Sequence, residues 1–138
     1  DAIVSRFALI VNDPTASDIL ADILALQSAP TEAIDDYNSV SGIAANASTA
    51  VLTYTVPVSK TLYLGRASGS GYVPAEWWVE VGGIKRDHRR SNWSNWNASF
   101  DFGDSGIKAV AGDTVKVFVM HRFLTVQDFD ASIYGRLE

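Results

Sequence analysis

Two adjacent glycines, Gly82 and Gly83, inside WWVEVGGIKRDHRR constrain this chain more than any other feature. Glycine takes φ > 0 at both central positions of a two-residue turn, as tight hairpins demand. Setting Val81 opposite Ile84 then places Glu80 against Lys85, Trp78 against Asp87 and Glu76 against Arg89. Two of these three pairs join opposite charges. The other face carries Trp77, Val79, Val81 and Ile84, then Arg86 and His88. A slip of one residue would lose both ion pairs and set apolar residues against charges. A lone hairpin is marginal in water, so further strands must lie beneath this one.

They follow from residue 50 onward as period-two alternation. Leu52, Tyr54 and Val56 alternate with Val51, Thr53 and Thr55; Leu62 and Leu64 share a face opposite Tyr63. Phe100 and Phe102 fall on one side of the stretch 97–102, and Val115, Val117 and Val119 on one side of 114–120. Phe129, Ala131, Ile133, Gly135 and Leu137 close the series. The glycine-rich stretches 69–71 and 103–112 read as loop and turn. Short strands at such spacing predict a mainly β chain, an antiparallel β-sandwich or jelly roll of about seven or eight strands.

The first 49 residues differ, and the expected organisation is an N-terminal arm over 1–49 ahead of a β-sandwich domain over 50–138. Arg6 to Val11 is a short apolar run ended by Asn12-Asp13-Pro14. Thr15 to Gln27 reads as a helix, with Ile19, Leu20, Ile23, Leu24 and Leu26 as its apolar stripe. Thr15 with Asp18 resembles a capping box, and Asp13 capping with Pro14 at the first helical position is a rival start. Thr31 to Asn38 is consistent with a further helical turn or two, and Ser39 to Thr49 with a linker or extended arm. Burying one side chain of the stripe is worth about 1.5–3 kcal/mol, so it is expected to contact its own sandwich, a neighbouring copy or another protein.

Charge narrows the partners. Of the 138 residues, 1–59 hold seven acids and the single base Arg6, while the remainder is nearly balanced. A chain of net charge −5 is a poor general nucleic-acid binder, so none is expected as a partner. The one basic cluster, Lys85, Arg86, His88, Arg89 and Arg90, reads as strand charge partly neutralised by Glu76, Glu80 and Asp87. No stretch of 18 apolar residues predicts a membrane span. Cysteine is absent, which removes disulfides and thiolate chemistry.

Signals of catalysis are thin, and the expectation is a non-enzymatic chain without cofactor or metal. His88 and His121 lie on different predicted strands with no carboxylate spaced to join them. The pairs Asp101/Asp104 and Asp128/Asp130 offer too few oxygens for calcium. The glycine loops lack the Lys and following helix of a phosphate-binding loop. One stretch does point to a ligand: Trp93 and Trp96 with Asn92 and Asn95. Indole faces stack on sugars and amides hydrogen-bond to them; the competing reading is that these tryptophans cover the sandwich end or a subunit contact.

The ordered series YTVPVSKTLYLGRASGSG, EWWVEVGGIKRDHRR, NASFDFG, AGDTVKVFVMH and DFDASIYG resembles a β-sandwich domain of tailed-bacteriophage virion structural proteins. The resemblance covers roughly residues 50–138; Trp77-Trp78 and the loop from Ser91 to Trp96 are more aromatic than the pattern. It implies a virion role of the kind played by capsid decoration proteins, head fibres and tail appendages. The expected function is that of a capsid decoration, or cement, protein. It would be made in the host cytoplasm and sit on the capsid surface, bound to the major capsid protein and to copies of itself, most plausibly as a trimer. The alternative is a tail or fibre module that binds host-surface carbohydrate.

Overall fold

The computed structural model describes residues 31–138, and these form nine strands with no helix among them. In order they are β1 (Glu32–Ile43), β2 (Thr49–Thr55), β3 (Leu62–Gly71), β4 (Glu76–Val81), β5 (Ile84–Arg90), β6 (Asn97–Asp101), β7 (Ile107–Ala109), β8 (Thr114–Met120) and β9 (Gln127–Leu137). They build two antiparallel sheets. One runs β1-β9-β3-β6, with β7 also paired to β3; the other runs β2-β8-β4-β5. The chain passes from one sheet to the other at six of the eight connections between these strands, so most pairings are distant in sequence.

Both sheets contribute to one core. The alternation read from the sequence holds on β8, where Val115, Val117 and Val119 are buried, and on β9, where Phe129, Ala131, Ile133 and Leu137 are buried. Trp77 is fully buried between the sheets and meets Phe129 edge-on, with centroids 5.5 Å apart. Gly69 and Gly71 are inward positions of β3 rather than a loop. A Cβ on Gly69 would lie 2.2 Å from the Trp77 ring, and one on Gly71 2.4 Å from Phe129. The glycines leave the space that the two large rings fill.

The hairpin turn stands as expected, with φ of 58° at Gly82 and 80° at Gly83. Val81 pairs with Ile84 and Glu80 with Lys85. Beyond them a bulge adds one residue to β5, so Val79 meets Asp87, Trp78 meets His88 and Glu76 meets Arg90. The expected pairs Trp78–Asp87 and Glu76–Arg89 are therefore replaced. Arg90 reaches Glu76 at 3.1 Å, and Arg89 turns to Asp87 on its own strand at 3.2 Å. Lys85 sits 5.1 Å from the Trp78 ring centroid, and that ring stacks on Phe118 at 5.3 Å on the outer face.

Residues 31–43 correct the expected arm. They form no helical turn or linker: β1 pairs with β9 from Glu32↔Leu137 to Val40↔Phe129, and Asn38 Nδ2 donates to the Val51 carbonyl at 2.8 Å. Residues 31–138 make one compact unit, so the two-sheet body begins well before residue 50. Among the described residues β1 and β7 bring the seven strands expected after residue 50 to nine; the run Arg6–Val11, the expected eighth, lies outside the described residues. The predicted helix Thr15–Gln27 and its stripe Ile19, Leu20, Ile23, Leu24 and Leu26 lie outside the described residues.

Candidate functional site

At one end of the body loop 44–48 meets loop 121–126, where the Asn46 N–H donates to the His121 carbonyl, and loop 91–96 meets loops 72–75 and 121–126 through Trp96–Tyr72 and Trp93–Phe123. Loop 91–96 is built by its own amides. Asn92 Oδ1 accepts the backbone N–H groups of Ser94 (2.9 Å) and Asn95 (2.8 Å), and Asn95 Oδ1 accepts that of Asn97 (3.1 Å). These are the Asx turns that asparagine favours. The amide oxygens expected to meet a sugar are thus engaged in holding the loop. The buried Ser91 ties this loop to the neighbouring one: its Oγ accepts the Ala75 N–H at 2.9 Å, and its N–H donates to the Ala75 carbonyl at 3.0 Å.

The loop presents Trp93, 62% exposed, and Trp96, 42% exposed, to different neighbours. Trp93 packs edge-on against Phe123 at 5.5 Å and lines a cavity of about 360 Å³ with Pro74, Glu76, Arg90, Met120 and Arg122. Trp96 donates its Nε1–H to the Trp93 carbonyl at 3.1 Å and meets Tyr72 edge-on at 6.0 Å. It lines a second cavity, of about 390 Å³, with Ser39, Ser70, Asn97, Asp128 and Asp130. The two indoles do not form one platform.

Tyr72, Leu124 and Val126 complete the exposed apolar surface at this end. None of them stood out in the sequence. Leu124 and Val126 fall in HRFLTVQ, directly after the alternation of β8, where apolar residues pass for more strand. That they lie in a loop with their side chains in solvent is decided by where β8 stops.

His121 belongs to the scaffold of this end. It is buried, with Nε2 2.6 Å from the Ile43 carbonyl and Nδ1 accepting the Phe123 N–H at 3.2 Å. Those partners require the tautomer protonated at Nε2. His88 lies on β5, tilted against Trp78 at 6.4 Å, so the two histidines do not meet. Asp128 accepts the Gly42 N–H at 2.9 Å, and Asp130 accepts the Ser39 hydroxyl. Among the described residues no three acidic or histidine side chains converge as metal ligands, and no helix is long and apolar enough to cross a membrane.

No family profile and no curated protein sequence matches the chain. Among solved structures it is similar to a chain from Bacillus endospore appendages described as disulfide-linked pili. The identity there is 16% and the TM-score 0.44, over 78% of this chain and 88% of that one. It is also similar to a chain of the cyanophage Pam1 capsid asymmetric unit, at 12% identity and TM-score 0.48, over 77% of this chain and 85% of that one. A third similarity is to an insecticidal delta-endotoxin of Bacillus thuringiensis, at 18% identity and TM-score 0.42, over 75% of this chain and 19% of that one. Likenesses this distant carry no function across.

Proposed function

We propose that the chain is a non-enzymatic structural protein of a tailed-bacteriophage virion, and specifically a decoration protein that binds the major capsid protein on the head surface as a homo-oligomer, a trimer. The observation that carries this reading is the loop end, which exposes Trp93 and Leu124 on either side of Phe123's loop contact and, beside them, the Tyr72–Trp96 pair and Val126. Exposed apolar groups gathered in this way mark contact surfaces, and aromatic residues are enriched at the centres of such contacts. The strand order β1-β9-β3-β6 over β2-β8-β4-β5 is that of a jelly roll, an architecture shared by viral capsid and lectin domains. Fold alone does not choose between those roles. The ordered motifs that resemble phage structural domains supply the choice, and the stripe Ile19, Leu20, Ile23, Leu24 and Leu26 is proposed as a second contact with a neighbouring copy or the shell.

Rebinding to heads stripped of the protein tests the reading. Trp93→Ala and Leu124→Ser should each weaken rebinding by roughly thirtyfold, the effect of losing one interface anchor worth about 2 kcal/mol. Rebinding at full strength by both variants, or no binding of the unmodified protein to heads, rejects the proposal.

A second reading, host-surface carbohydrate binding, is favoured by the corner where Trp96 and Tyr72 border Ser39, Ser70, Asn97, Asp128 and Asp130. Aromatic rings beside hydroxyl, amide and carboxylate groups suit a sugar. In that case Trp96→Ala abolishes binding to host cells while Trp93→Ala, on the other cavity, preserves it.

A further inference from the structure

Two outer strands on opposite flanks of the body, β1 and β5, bear net charge of opposite sign. β1 is the outer strand of its sheet and lies against β2, to which Asn38 is hydrogen-bonded; β5 is the outer strand of the other sheet and lies against β6. On the first flank β1 carries Glu32, Asp35 and Asp36, and neither β1 nor β2 contains a base. Among the described residues none of these carboxylates pairs with a cation. Glu32 and Asp36 also lie close enough to Tyr54 on β2 to join its burial in holding the phenol proton. On the other flank β5 carries Lys85, Arg86, His88, Arg89 and Arg90 with the single acid Asp87, and β6 beside it adds one acid, Asp101, so the flank stays net basic. Arg89 and Arg90 have carboxylate partners at the surface, where such pairs are weak; Lys85 and Arg86 have none among the described residues.

We infer that copies of this chain join head to tail, the acidic β1 edge of one against the basic β5 edge of the next. Edge strands offer unpaired backbone groups to a further strand, and proteins often place charge there to keep other chains away. A merely protective edge works with either sign. Here β1 repels β1 and β5 repels β5, which disfavours a two-fold contact of either edge with itself. Only the unlike pairing is attractive, and it joins two different surfaces. Contacts of that kind generate rings when the rotation closes and filaments when it does not. The inference deepens the multi-copy part of the proposed function, but solution mass tests the edge contact whereas head rebinding tests the virion role.

The experiment is analytical ultracentrifugation of the full chain and three charge variants. Glu32→Lys with Asp35→Lys makes both edges basic, Arg86→Glu with Arg89→Glu makes both acidic, and the fourfold variant exchanges the signs. Melting temperatures and circular dichroism confirm that each is folded. The unmodified chain is expected to exceed monomer mass and to fall towards it in about 1 M salt, where the screening length is about 3 Å. Each double variant alone is expected at monomer mass, an equal mixture of the two to associate, and the fourfold variant to recover the original mass. A monomeric unmodified chain, an oligomer that survives both double reversals, or a fourfold variant that stays monomeric overturns the inference.

Discussion

Glycines at Gly69 and Gly83 do different work, and substitutions separate the two. Gly83 has φ of 80° and open space where a Cβ would sit, so its requirement is conformational. Gly83→Val should cost about 1–3 kcal/mol through backbone strain alone. Gly69 has no such backbone requirement, but a Cβ there would strike the fully buried Trp77 ring. Gly69→Ala should cost about 3 kcal/mol, the upper end for an overpacked core, and pairing it with Trp77→Leu should recover part of that loss. Thermal or urea unfolding of these three variants and of Trp77→Leu alone measures both effects. At Tyr54 the prediction concerns pH. Burial first, then the negative charges of Glu32 and Asp36, raise its pKa above the ordinary value of about 10. Between the unfolded and folded values the native state holds the proton that the unfolded chain has released. This stabilisation is therefore complete below about pH 10 and is lost as pH rises through the folded value. Urea midpoints between neutral and alkaline pH should fall less steeply in Tyr54→Phe than in the unmodified chain.

At the scale of elements, β1 decides where the body starts. It covers the edge of β9 and contributes Ile34 and Val40, which are partly buried against the core. A chain cut before Thr31 keeps all nine strands, whereas one cut after Val40 loses most of β1 and leaves the β9 edge open. The 31–138 fragment should unfold in one cooperative transition. The 41–138 fragment should melt far lower or aggregate through the uncovered strand. Equal melting curves would show that β1 is dispensable.

For the whole molecule, the core and the loop end are separate in their energetics. The core sits between the sheets, while Trp93 and Leu124 stand largely in solvent at one end. Trp93→Ala and Leu124→Ser should consequently shift the melting temperature by no more than a few degrees, since exposed substitutions usually fall within about 0.5 kcal/mol. Calorimetry on the variants used for head rebinding checks this. A large loss of stability would make those residues part of the scaffold and remove them from the contact surface.

Features that depend on near neighbours are legible in the residues alone. Two consecutive glycines needing φ > 0 placed the hairpin turn, and strict alternation on β4, β8 and β9 assigned buried and exposed faces, because a strand's side chains alternate whatever it pairs with. Loop 91–96 was legible as an aromatic, asparagine-rich stretch between two strands. What needed the tertiary structure was everything set by partners distant in the chain. EAIDDYNSVSGI has no clean period and is a strand because it pairs with β9, nearly 100 residues away. The glycines of β3 resemble a loop until the rings of Trp77 and Phe129 are seen filling the space above them. The bulge in β5, which hands Glu76 from Arg89 to Arg90, follows from the pairing of the two strands and not from either one alone. Trp93 and Trp96, three residues apart, belong to different cavities because Phe123 and Tyr72 arrive beside them from different loops. The separation of acidic β1 from basic β5 is likewise a product of strand order, which local propensity does not encode.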